Sequence, residues 1–380
     1  MDISFKLDPE TIIGPDTINR IGSICNHYGD RVLIATEQVL YENKSIERLC
    51  GVLEEAGIEA IIFDAIPAQA TADVAENAAN LARGGRCSAI IGFGGLKTQA
   101  IARMAAIIAP AKIPIFDLLD GHLSREEFIP YIAIPTAGRD PFLFTNYFVA
   151  VDPRDRSVKQ IKSPGKLCAA AIIDSNLSET LSGTFAATTA FDGFCVAAEA
   201  YCSIKGSFLS DALLEQAILI YSQMMVSYRE NKAYDLAGNA TNAGFLVALG
   251  SAASSPGIGT ALAYAINGRF PVAKSWSSTV ILPYILERLV SARPEKMARI
   301  CALMGEPTEG LSVSDSANLA IDTIRRRMGS LKVPARLKEF NLSLDRLIPV
   351  AEAARNLEFV AFSPWTVSSE DAFDILKQAF

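Results

Sequence analysis

In this 380-residue chain a glycine-rich turn is the first stretch whose residue types and spacing could hold a ligand, and a scarcity of histidine limits what else can be built. Ala89-Ile90-Ile91-Gly92-Phe93-Gly94-Gly95 reads as a strand running into glycines, with a helical pattern after it. Glycines there let backbone N–H groups approach a pyrophosphate at a helix N-terminus. Gly92 and Gly94 match the first two positions of the dinucleotide fingerprint, but Lys97 occupies the third, so a plain βα turn is an equal alternative. Lys97 adds a cation that complements phosphate. Glu37, just after the first strand, is placed to accept from an adenosine ribose 2′-OH and would repel a 2′-phosphate, favouring NAD over NADP. A surface or helix-capping carboxylate is the competing reading of Glu37.

His27 and His122 are the only two histidines, which makes a His-rich metal site or a Ser-His-Asp triad hard to build. The seven cysteines form no Cys-x-x-Cys pair, and no secretory signal opens the chain, which fits reduced, mostly buried thiols and a cytoplasmic location. With 35 basic against 42 acidic residues, a net charge of −7, nucleic acid is not an expected partner. The run from Leu236 to Gly268 is uncharged, but Asn239, Asn242, Pro256 and several glycines interrupt it. It reads as helices buried inside a domain, with no membrane partner.

The elements that must position the turn follow from periodicity. Strands are expected at Val32–Thr36, Ala60–Phe63, Ala89–Gly92, Pro114–Phe116, Ile132–Ile134 and Ala169–Ile173. Helical patterns at Ser45–Ala56, Ala72–Arg83 and Thr98–Ile108 alternate with them, the mark of βαβ units and a parallel sheet. Phe142–Val151 and Ser157–Ile161, joined by Asp152-Pro153-Arg154-Asp155, read as a hairpin. Beyond about Asp174 only helical patterns occur. The expectation is an α/β dinucleotide-binding domain over 1–176, with a parallel Rossmann-like sheet, and an all-α domain over 177–380, with a cleft between them.

In order and spacing the pieces resemble the iron-containing (group III) alcohol dehydrogenase family, of the dehydroquinate synthase-like fold group. Gly92-Phe93-Gly94-Gly95-Leu96-Lys97-Thr98 stands where that family has Gly-Gly-Gly-Ser-x-x-Asp. Ile134-Pro135-Thr136-Ala137-Gly138, Phe191-Asp192-Gly193, Glu199-Ala200-Tyr201, Ile281-Leu282-Pro283 and Pro334-Ala335-Arg336-Leu337 match further family segments. Thr136 and Lys166 look retained in the cofactor region. Arg139 adds a guanidinium where the family has small polar residues, suited either to a ligand phosphate or carboxylate or to a salt bridge with Asp140.

The resemblance implies a metal held by one Asp and three His, and here the sequence departs. The Asp is retained as Asp192, while the histidine positions carry Val196, Thr260 and Lys274, and the relay histidine becomes Tyr264. One carboxylate beside a valine, a threonine and an ammonium is no ligand set for iron or zinc, so no tightly bound metal is expected. Recruitment of a metal by Asp192 with Cys195 is awkward, because Cys195 points to a different side of the helix from Val196. Tyr264 becomes the candidate proton donor or acceptor, Lys274 the electrostatic stabiliser and Asp192 the group that orients one of them. The alternative is a packed Tyr264 with Lys274 and Asp192 as a relic ion pair.

The resulting expectation is an NAD-dependent, metal-independent oxidoreductase acting on a small alcohol or aldehyde; the resemblance adds that a homodimer is a common state among such proteins. A catalytically silent homologue that binds a nucleotide or a partner is the competing reading.

Overall fold

The computed structural model describes residues 8–68, 70–111, 114–122, 128–137, 140–165, 167–178, 183–230, 236–330 and 333–380. Contacts divide the chain into two compact units, residues 1–180 and 181–380.

In the first unit the strands are β1 (Glu10–Ile13), β2 (Arg31–Ala35), β3 (Glu59–Phe63), β4 (Ala89–Gly94), β5 (Tyr131–Pro135), β6 (Tyr147–Val151), β7 (Val158–Lys162) and β8 (Cys168–Ile173). Between them run α1 (Ile21–Cys25), α2 (Val39–Glu42), α3 (Ser45–Glu55), α4 (Val74–Gly84), α5 (Leu96–Ala111) and α6 (Ile115–Leu119). Six strands form one sheet in the order β1-β8-β5-β4-β2-β3, and every pairing in it is parallel. Strands covered on both faces need apolar residues at every position. Ala-Ile-Ile-Gly-Phe-Gly of β4 is buried throughout. On one face Ile34, Ile91, Phe93, Ile132 and Ile172 pack with Ile21 of α1 and Leu49 and Leu53 of α3.

Strand order fixes where a ligand seat lies. From β2 the chain moves outward to β3 and then crosses back to β4, so β2 and β4 are neighbours from which the connections diverge. Open parallel sheets bind ligands in the crevice outside the carboxyl ends of such a strand pair. Ala35, the last residue of β2, pairs with Gly92, and the glycine turn follows.

Two expectations are corrected here. Pro114–Phe116 is no strand: Pro114 has an extended conformation (φ −57°, ψ 141°) and precedes α6, whose first N–H, from Ile115, donates to Glu76 Oε1 at 3.0 Å. Buried Ile115, Leu118 and Leu119 have helical spacing. The first arm of the hairpin is shorter than expected, because the Thr145 hydroxyl, bonded to the Phe142 carbonyl, holds a turn ahead of β6. Strand β1 was not foreseen. It is a four-residue element held by parallel pairing to β8.

The second unit is helical: α7 (Gly183–Cys202), α8 (Phe208–Glu230), α9 (Leu236–Ala253), α10 (Ile258–Arg269), α11 (Lys274–Ala292), α12 (Pro294–Leu303), α13 (Val313–Ser330), α14 (Ile348–Arg355) and α15 (Ser369–Ala379). Helix α7 packs against α8, α9 and α11, which accounts for its burial on nearly every side. The uncharged run becomes α9 and α10, bent by 112° at a short break. Among the described residues no single helix is long and apolar enough to cross a membrane. The last helix starts with a capping box, Ser368 with Asp371.

Candidate functional site

At the glycine turn the first group to place is Glu37. Its Oε1 accepts the Gly95 N–H at 2.5 Å and the Thr98 hydroxyl at 2.7 Å. Gly95 immediately precedes α5 and Thr98 lies in its first turn, where unpaired N–H groups and the helix dipole favour negative charge. The half-buried Glu37 carboxylate therefore caps α5 from across the crevice, where the ribose reading would have left it free for cofactor. Close approach explains the glycines. A Cβ on Gly94 (φ 157°) would lie 2.7 Å from Glu37 Oε1 and 2.9 Å from Thr98. On Gly92 it would meet Gln99 and Tyr131, both at 2.9 Å, so that glycine serves the packing of α5 against the sheet.

Behind the turn Gln99 Nε2 donates to the carbonyls of Gly92 (2.9 Å), Gly94 (3.0 Å) and Ile134 (3.2 Å), and the Tyr131 hydroxyl donates to Gln99 Oε1. Thr136 joins the same corner, its N–H donating to the Gly94 carbonyl at 3.2 Å. Lys97 turns elsewhere: Nζ donates to the Ala68 carbonyl at 2.5 Å. Asp140 bonds Arg103 Nη2 at 2.8 Å with both side chains buried, and the guanidinium lies over the rings of Tyr131 and Phe148. Arg139 and Lys166 lie outside the described residues. Of the expected cofactor residues, the fold thus gathers Glu37, Gly94, Gly95, Thr98 and Thr136 at one crevice, with Gly92 beneath and Lys97 beside it.

The second cluster lies in the helical unit. Lys274, the first residue of α11, donates from Nζ to Asp192 Oδ1 at 2.5 Å, with the side chains only 4% and 1% exposed. The same Nζ stands 4.9 Å from the ring centroid of Tyr264, a cation–π contact. All three expected catalytic residues therefore meet. Tyr264 is half-buried, while Lys274 lies deeper.

Sequence reasoning gave no role to Glu199, which the structure makes central. It follows Asp192 by seven residues, two turns on, along the same stripe of α7 as Val196. Its carboxylate accepts the N–H groups of Gly259 (2.5 Å) and Thr260 (2.9 Å) and the Thr260 hydroxyl (2.7 Å), capping the buried start of α10. A Cβ on Gly257 would lie 2.7 Å from Glu199 Oε1, so the chain needs glycine there. Burial pushes the Glu199 carboxyl above its usual range, and the hydrogen bonds from Thr260 and the backbone oppose that shift. The available signal was a lone carboxylate among alanines, Ala197-Ala198-Glu199-Ala200, on a helix otherwise almost uncharged.

The donor set does not fit a divalent metal. Asp192 is bonded to an ammonium, Val196 offers no donor, and the Thr260 hydroxyl is bonded to Glu199. Cys195 is fully buried and its thiol is held well above its ordinary pKa, first by burial and then by the charges of Glu199 and Asp192. That disfavours the thiolate a metal would need. Among the described residues no three His, Cys, Asp or Glu side chains are grouped to hold an ion.

Comparison with known proteins puts these two sites in context. The chain is 25% identical to 1,3-propanediol dehydrogenase of Citrobacter freundii, over 97% of this chain and 96% of the relative. It is 23% identical to the NAD-dependent methanol dehydrogenase of Bacillus methanolicus, over 99% of each. A crystal structure of 1,3-propanediol oxidoreductase superposes over 100% of both chains with a TM-score of 0.91 at 23% identity, a likeness of fold. Residues 9–175 match the iron-containing alcohol dehydrogenase family and residues 186–380 match the C-terminal domain of the Fe-containing alcohol dehydrogenase family. With nearly the whole length matched by the two profiles together, the chain belongs to the iron-containing alcohol dehydrogenase family of oxidoreductases.

Proposed function

We propose that this protein interconverts a small primary alcohol and its aldehyde with NAD, and that it does so without a metal. The observation that carries the metal-free reading is the buried ammonium of Lys274 on Asp192, beneath the ring of Tyr264. NAD is the favoured cofactor because the Bacillus methanolicus relative is named for it, and the crevice lies outside the carboxyl ends of β2 and β4 at the N-terminus of α5. When bound, NAD accepts the carbinol C–H electron pair as hydride.

In the direction of oxidation, Tyr264 as phenolate takes the hydroxyl proton of the alcohol as the carbinol C–H bond breaks, leaving a carbonyl group and a neutral phenol. In reduction it returns that proton to the oxygen. Lys274 acts through Tyr264: a positive charge against the ring favours the negative charge that develops on the phenol oxygen. Asp192 fixes the ammonium in place, and Glu199 fixes the first turn of α10, one turn ahead of Tyr264.

A catalytically silent homologue is the second reading, and the capping role of Glu37 favours it, since the turn already holds an anion of its own. One experiment separates the two. The purified protein is melted with NAD⁺, NADH, NADP⁺ and NADPH, and absorbance at the NADH band is followed with short primary alcohols and diols in chelator. A ligand that binds only the native state raises its melting temperature. Stabilisation by NAD⁺ or NADH together with chelator-resistant turnover is the expected result. No shift with any dinucleotide supports the silent homologue, and turnover that stops in chelator ends the metal-free reading.

A further inference from the structure

The position of Glu37 leads beyond the identity of the cofactor to how it gains entry. The two groups Glu37 holds, the Gly95 N–H and the Thr98 hydroxyl, are donors at the N-terminus of α5, at the crevice the strand order selects. Its carboxylate is the same kind of ligand as the outer oxygens of a phosphate, and it lies where a Cβ on Gly94 or Gly95 would collide or nearly collide with it. Thr36, the preceding residue, has a completely buried hydroxyl without a hydrogen-bond partner. Glu37 itself is half-buried and lies beyond Ala35, where the pairings of β2 end, so its side chain belongs to no strand pairing.

We propose that Glu37 is an internal occupant of the diphosphate seat, which must leave the Gly95 N–H and the Thr98 hydroxyl before a cofactor diphosphate takes them. The residue then sets cofactor affinity by competition, whereas a ribose-binding carboxylate adds to it. The inference rests on the dinucleotide reading for its biological ligand, but the seat itself responds to any compact diphosphate. Two charge-assisted contacts are given up on opening, and two like ones are remade with the ligand.

Inorganic pyrophosphate, NADH and NADPH serve as probes, titrated into the full-length wild type and into Glu37→Ala and Glu37→Gln. Circular dichroism checks the fold. If Glu37→Ala does not fold, Glu37→Gln, which keeps an acceptor oxygen and loses the charge, carries the test. Competition predicts that all three probes bind more tightly to Glu37→Ala, by about tenfold, and to Glu37→Gln by a smaller factor. NADH binding that weakens in the variants while NADPH gains identifies Glu37 as a ribose contact. That overturns the inference and leaves the proposed function standing. Unchanged affinities also overturn it. Pyrophosphate that binds only the variants, with no dinucleotide binding to any form, supports the internal occupant and removes the proposed cofactor.

Discussion

In the α/β unit the group resting on the glycine turn is a half-buried carboxylate held by two hydrogen bonds, one from the backbone and one from a hydroxyl. In the helical unit the group resting on Asp192 is an ammonium sealed at 4% exposure. Each stands where the family resemblance places an ion from outside, an anionic cofactor in one case and a metal cation in the other. They differ in exchangeability. Moving Glu37 into water leaves only small donors to be resolvated, whereas moving Lys274 strands a carboxylate that is 1% exposed. Self-supplied charge is therefore exchangeable at the turn and locked in place between the helices.

The largest effect that sharpens this contrast is on stability. Lys274→Ala removes the ammonium from a carboxylate that is 1% exposed, which costs about 3–5 kcal/mol. The loss is read as a lower urea midpoint, and the joint replacement Asp192→Asn with Lys274→Met recovers most of it. A single variant as stable as the wild type breaks the comparison. Next comes Tyr264→Phe, which keeps the ring under the ammonium and removes the hydroxyl. Turnover falls about 10²–10⁴-fold, while the unfolding midpoint and NADH affinity hold; full turnover returns Tyr264 to a packing role.

Glu199→Gln is smaller in effect. It turns an amide NH₂ toward groups that are themselves donors, at about 1–3 kcal/mol, and the loss is measured by denaturation across a pH series. The folded Glu199 carboxyl has a raised pKa, so the native state holds its proton more readily than the unfolded chain does. Wild-type stability relative to Glu199→Gln is therefore greatest at acid pH. It declines as pH rises from the ordinary carboxylate range through the raised folded value. A pH-independent difference contradicts the burial argument. The smallest effect is none at all: chelator, Fe²⁺ and Zn²⁺ leave melting temperature and turnover unchanged, and a marked gain with either ion breaks the contrast from the other side.

Much of the frame was readable because it is local. Strand β4 announces itself by an unbroken apolar run, and α7 to α10 by helical patterns with no strand between them. Strand β1 was hidden because its four residues become a strand only by pairing with β8, some 160 residues on. Short Pro-Ile-Phe carries no period that separates strand from helix, and the contact from Glu76 settles it as helix. Asp192, Tyr264 and Lys274 share a neighbourhood through the family resemblance, which assigns them metal-ligand and relay positions, and the structure has them in contact. Partner choice was not legible. For Glu37 the sequence left a ribose ligand and a helix cap side by side, and the structure has it capping α5 through the Gly95 N–H and the Thr98 hydroxyl; Asp140 had a neighbouring arginine in sequence and pairs with Arg103 from α5. Buried polar groups choose partners by three-dimensional proximity, which sequence spacing encodes only within a helix or a turn.

Helix α7 carries Asp192 and Glu199 on one stripe, and each is fastened to the first turn of a different helix, α11 and α10. Neither of those helices can peel away alone without exposing a severed polar contact on α7. The three first yield to solvent as a single cooperative block, so amide protons at the starts of α10 and α11 share one opening event and exchange on one clock.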